Sequence, residues 1–132
     1  MTINLKIICV NDFLKVTPQG TLDFESAKQA MVEASLVPGV FVNYDLLIDT
    51  RGTESTLSVT DIWYLAKELA TIVLENTKGF KARIPVLCPI KDFDNAKFFE
   101  LCSQNRGLNV CAFISFEDVF DWLNQSREIK SD

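Results

Sequence analysis

Val40-Phe41-Val42-Asn43-Tyr44-Asp45-Leu46-Leu47-Ile48-Asp49 is the stretch on which the fold turns. Its Leu46-Leu47-Ile48 centre does not alternate apolar with polar, so it reads as a strand covered on both faces, the habit of parallel strands. The flanks agree. Upstream, Asp23 can cap a helix in which Phe24, Ala27, Ala30, Met31 and Ala34 recur at three and four, and Pro38-Gly39 ends it. Downstream, a polar loop leads into Ser58-Val59-Thr60-Asp61, an S-x-x-D capping box. The helix behind that box buries Ile62, Leu65, Ala66, Leu69, Ile72 and Val73, and Gly79 stops it.

The same reading extends to both ends. Residues 3–10 and 12–17 read as strands with Asn11-Asp12 as a turn, and Pro18-Gln19-Gly20 then breaks the chain. Ile84 to Cys88 is a strand with Pro85 placed at its start, because proline is out of place in a fully paired central position. Asp92 caps a third helix carrying Ala96, Phe99, Leu101 and Cys102, ended by Gly107. Leu108 to Ile114 is the last strand, and Ser115 with Asp118 forms a second S-x-x-D box. A short final helix presents Phe116, Val119, Phe120 and Leu123, and residues 128–132 form a polar tail expected to fray. The order ββαβαβαβα makes an α/β domain whose parallel strands are joined by right-handed crossovers.

Composition narrows the function. The 132 residues fit one domain, 1–132, and 48% apolar with 23% charged residues is a globular balance. The net charge of −5 argues against nucleic acid, whose backbone is gripped by clustered Lys and Arg. The absence of His removes Ser-His-Asp and Cys-His pairs, histidine bases and His metal ligands together. Cys9, Cys88, Cys102 and Cys111 form no C-x-x-C pair and read as small buried hydrophobes. Asp49, Asp92 and Asp94 fall short of the oxygen count of a magnesium site, so no metal is expected. Neither a G-x-x-x-x-G-K-[ST] loop nor a G-x-G-x-x-G fingerprint occurs, and no cofactor is implied. The first residues lack the marks of a signal peptide, and no apolar run reaches the roughly 20 residues of a membrane span, so a cytoplasmic protein is expected.

Three segments carry a family resemblance. Gly20-Thr21-Leu22-Asp23 resembles the G-x-L-D segment that starts the first helix of STAS domains, the fold of sporulation anti-sigma factor antagonists. Leu46-Leu47-Ile48-Asp49-Thr50-Arg51-Gly52 is similar to the strand that follows it there. Phe113, Glu117, Val119 and Trp122-Leu123 resemble the F-x-x-x-E-x-A-x-x-W-L ending of stand-alone SpoIIAA-like proteins, with Val119 in the Ala position. The resemblance spans about residues 5–124. It implies a SpoIIAA-like right-handed β/α superhelix: a mixed, mostly parallel sheet of about five strands, with about four helices largely on one side. It also implies non-catalytic work, since relatives bind partner proteins, nucleotides or, in the CRAL-TRIO-like branch, lipids. Partner-switching members carry a phosphorylated Ser in a D-S-S-G turn at the start of the second helix. Ser58 occupies that position without the preceding Asp or the following Gly, and an N-cap paired with Asp61 accounts for it equally well.

Candidate site residues follow from where open α/β sheets bind ligands, beyond the carboxyl ends of the strands. Asp49, Arg51, Thr56 and Lys91 lie there; Arg51 and Lys91 can converge on an anion at the second helix N-terminus, or Arg51 can pair with Asp49 or Glu54. Phe98 and Trp122 fall off the inner stripes of their helices and are candidates for an interface. The leading expectation is a non-catalytic regulatory or protein-interaction module that self-associates. The alternative is a carrier of a small apolar ligand or lipid between helices and sheet, and a phosphorylation switch at Ser58 ranks below both. An enzyme is the weakest reading, because no carboxylate pair is spaced for acid–base work and no cysteine has a base.

Overall fold

The computed structural model describes residues 4–10, 13–40, 44–76 and 82–131. Six strands and four helices are present among them: β1 Asn4–Val10, β2 Phe13–Leu22, α1 Phe24–Ser35, β3 Asp45–Asp49, β4 Thr53–Ser55, α2 Val59–Asn76, β5 Arg83–Leu87, α3 Phe93–Gln104, β6 Asn109–Phe113 and α4 Phe116–Ser131. The strand order is β1-β2-β3-β5-β6, with β1 antiparallel to β2, the other pairs parallel, and β4 paired to the end of β2. The sheet is therefore mixed and mostly parallel, as expected. Each new strand is laid beside the last in one direction. Crossovers of a single hand then place α1, α2 and α3 on one face.

Burial of the strands on both faces explains their unbroken apolar runs. On one face Leu14, Val16, Leu46, Ile84, Val86 and Val110 form a core with Ala34, Leu69, Ala70 and Val73. On the other, Phe13, Leu47 and Leu87 pack beneath Val119 and Leu123 of α4. The pleat sends Leu46 one way and Leu47 the other, so each needs its own apolar layer.

Three local expectations are corrected. Pro18-Gln19-Gly20 does not end β2; the strand runs on to Leu22. It pairs with β3 through Val16↔Ile48 and with β4 from Gly20↔Thr53, and Pro18 falls in the gap between the two registers, where a missing N–H is tolerated. Gly20 makes the change of partner at φ 101°, a left-handed value that glycine adopts freely. Pro85 lies in the middle of β5, not at its start. The ladder to β3 begins only after it, at Ile48↔Val86, and the Asp45 carboxylate accepts the Arg83 N–H at 2.9 Å where a β3 carbonyl would otherwise serve. Leu101 is 54% exposed, while Ser103 beside it is fully buried. α4 runs through Ser131, and its sequence there has no Gly or Pro to stop it. The Asn11-Asp12 turn and the Gly79 stop lie outside the described residues.

Candidate functional site

Small residues on α1 shape the site. Its capping box is closed by Asp23, whose carboxylate accepts the Ser26 N–H at 2.9 Å, while the Ser26 hydroxyl accepts the Asp23 N–H at 3.0 Å. This fixes the helix so that Ala27, Ala30 and Ala34 face the sheet. Alanine at three such positions leaves room that larger side chains would fill. The result is a cavity of about 110 Å³ between sheet and helices. Its walls are Val16, Leu22, Leu46, Ile48 and Val86 from the strands, Ala27, Ala30, Met31 and Ala34 from α1, Ile62 and Leu65 from α2, and Ala96 and Phe99 from α3.

One end of the cavity is polar. It lies beyond the carboxyl ends of β3 and β5, where Thr50, Cys88, Asp92 and Asn95 join the lining. Asp92 is at the N-cap position of α3 but makes no capping hydrogen bond, which corrects its reading as a cap. Its Oδ2 is buried and meets no hydrogen-bond partner among the described residues. The neighbouring groups are committed elsewhere: the Thr50 hydroxyl and the Cys88 thiol donate to the carbonyls of Leu87 and Phe113, and Lys91 Nζ bonds Glu54 Oε2 at 3.2 Å. Burial, and then the nearby Asp92 charge, push the Cys88 thiol up to about 11. At neutral pH it is therefore a protonated, unreactive wall atom.

Of the residues nominated from sequence as an anion site, Asp49 and Arg51 are brought together as an ion pair, and Lys91 pairs separately with Glu54. Asp49 follows Leu47 onto the α4 face by the two-residue pleat, away from the cavity. There Arg51 grips it with two bonds of 3.0 and 2.9 Å, Lys15 Nζ stands 3.8 Å away, and both cations lie over the Phe116 ring. Burial opposes the Asp49 charge, but Arg51 and Lys15 outweigh it and hold its pKa below the usual carboxylate value. Lys91 is paired with Glu54, and Thr56 is exposed, its backbone N–H bonded to the Leu22 carbonyl. Each cation is thus neutralised by a carboxylate of its own.

Ser58 closes the predicted capping box: its hydroxyl accepts the Asp61 N–H and the Asp61 carboxylate accepts the Ser58 N–H, each at 3.0 Å. Phe98 is half-buried, and Trp122 packs on the α4 core with its ring 5.6 Å from that of Phe113. Among the described residues, the exposed aromatics sit at Trp63 and Tyr64 on α2 and at Phe120 on α4. Among the described residues, Cys88 and Cys102 are buried, Cys111 is half-buried, all three are free, and no group of His, Cys, Asp and Glu is placed to hold a metal. No helix there is long and apolar enough to cross a membrane.

Sequence reasoning missed Asp92, Asn95 and Thr50 as site residues. The usable signal was the Ala27, Ala30, Ala34 stripe, which marks a helix face with space beneath it.

No protein-family model and no curated protein matches the sequence. A solved structure does match in shape: an uncharacterised protein of the DUF3478 family from Shewanella loihica PV-4, which has a SpoIIAA-like fold. It is 20% identical, with 92% of this chain and 94% of that one covered, at a TM-score of 0.53. Strand order, the gathering of α1, α2 and α3 on one face and this likeness agree with the expected architecture, and the chain has a SpoIIAA-like fold.

Proposed function

We propose that the protein is a non-catalytic binding module that holds a small apolar ligand between α1, α2, α3 and the sheet. The observation that carries this reading is the alanine-walled cavity of about 110 Å³. Apolar walls left without packing partners cost stability, and a ligand's atoms restore those contacts. Three alanines on one helix face keep that space open for a ligand. The volume suits a short alkyl chain or part of a larger molecule reaching outward, given that an engineered cavity of about 150 Å³ takes up benzene. The polar groups stand at the end where open α/β sheets generally receive ligands. No step of bond making is assigned, because the Cys88 thiol at the site is held protonated by burial and by the nearby Asp92 charge.

Native mass spectrometry of protein purified from its own host tests this directly. A co-purifying small molecule is expected, and Ala30→Leu should both lose it and raise Tm by a few degrees. An apo mass for the native protein, together with an Ala30→Leu variant of unchanged or lower Tm, would overturn the reading.

A second reading, a module that self-associates, is favoured by the exposed outer face of α2. Val59, Trp63, Tyr64 and Leu74 there are 61%, 41%, 47% and 68% exposed. The rings of Trp63 and Tyr64 stand 5.0 Å apart, and Arg106 lies over Trp63. Large aromatics beside an arginine are the side chains most enriched in protein interfaces. The same native spectrum reads it: a dimer mass supports this reading, and a monomer at high concentration opposes it.

A further inference from the structure

From the buried acceptor at the cavity's polar end we infer that the ligand is an amphiphile whose head group carries a hydrogen-bond donor, a protonated amine, bound by Asp92. This rests on the ligand-holding reading above and specifies its chemistry. Asp92 lines the cavity and its Oδ2 is buried with no hydrogen-bond partner among the described residues. A buried carboxylate oxygen with no donor is costly, and such groups are retained where something outside the fold satisfies them. Thr50 and Cys88 donate to carbonyls and Lys91 to Glu54, and although Ser55 and Asn95 also line the cavity, neither is hydrogen-bonded to Oδ2. A carboxylate acceptor selects against anionic head groups, so a fatty acid is the wrong occupant. An ammonium brings both the donor and the compensating charge. Its apolar body then lies against Ala27, Ala30, Leu65 and Phe99.

Calorimetric titration at pH 7 with hexylamine, hexanol and hexanoate separates the head groups over one chain length. Wild type should bind hexylamine at least tenfold more tightly than hexanoate, with hexanol between, the size expected of one charge-assisted hydrogen bond. Asp92→Asn should erase the preference for the amine while leaving hexanol within a few-fold. Equal binding of the three head groups by wild type, a comparison that needs no variant, overturns the inference, as does a preference that survives Asp92→Asn. In both cases the cavity still binds the chain, so the ligand-holding reading stands. If none of the three binds and Ala30→Leu gains no stability, that reading fails and the amine assignment falls with it.

Discussion

Asp45 and Arg83 show how much a single pair can settle in this molecule. Arg83 is 5% exposed and Asp45 is 7% exposed. One carboxylate oxygen accepts the Arg83 N–H at 2.9 Å, and the other takes the guanidinium at 2.6 Å. The second guanidinium nitrogen, NH1, donates to the Leu123 carbonyl at 2.8 Å, while Nε has no partner among the described residues. The pair therefore ties β3 to β5 where proline interrupts their ladder, and ties both to α4 on the outer face. Removing one partner leaves the other charge buried, so Asp45→Ala should cost roughly 3–5 kcal/mol. Asp45→Leu with Arg83→Met should recover much of that, because an apolar pair of similar volume avoids the desolvation of both charges. Urea unfolding of the single and double variants measures the difference, and equal midpoints would remove the bridging role assigned to this pair.

At the scale of elements, the N-terminus of α2 isolates what Ser58 does. Its hydroxyl accepts the Asp61 N–H, so Ser58→Ala should cost about 1 kcal/mol. Ser58→Asp keeps a capping oxygen and should stay within about 0.5 kcal/mol of wild type. A phosphoryl group here would be favoured by the α2 N-terminus and opposed by the Asp61 carboxylate that accepts the Ser58 N–H. Urea midpoints of the two variants test the cap, and a large loss in Ser58→Asp would contradict it. This box was legible from spacing alone, as were the buried stripes of α1 and α2 and the doubly covered β3, because each follows from local periodicity. What was not legible depends on partners distant in sequence. Pro18 and Pro85 look like breaks until the registers on either side of them are known, and three-residue β4 exists only because the end of β2 offers it an edge. Asp92 has the sequence of a cap, yet its side chain lies along the cavity, where Asn95, Ala96 and Phe99 of its own helix also point. The cations nominated for an anion were placed for a related reason: alternation puts Asp49 and Ile48 on opposite faces, and Arg51 pairs with Asp49 while Lys91 pairs with Glu54.

For the whole molecule, the charges that hold elements together set the pH range over which it is stable. Glu100 accepts the Ala112 N–H of edge strand β6 at 2.8 Å and the Lys97 ammonium at 2.9 Å. Burial opposes its charge, but Lys97 and the Ala112 N–H outweigh it and hold its pKa below the ordinary 4.5. Asp49 is likewise held below 3.8. A carboxylate whose folded pKa is depressed stabilises the fold above its unfolded value, and that stability drains away as pH falls through the folded value. The acid limb should therefore begin at about pH 4–5 and steepen below it. The thiols act at the other end. Burial, followed by the charges of Asp92 and Glu100 respectively, raises Cys88 and Cys111 from 9.0 to about 11. The unfolded chain then releases thiol protons that the folded chain keeps, so stability should be full below pH 9 and fall between 9 and about 11. The urea midpoint followed from pH 3 to 11 should trace a plateau with two falling limbs. Glu100→Gln should soften the acid limb, and Cys88→Ala should soften the alkaline one at the expense of a somewhat lower plateau, since a buried sulfur is lost. An alkaline limb unchanged in Cys88→Ala would show that this thiol is not held protonated by the cavity wall, and a flat acid limb would deny the tie between α3 and the edge of the sheet.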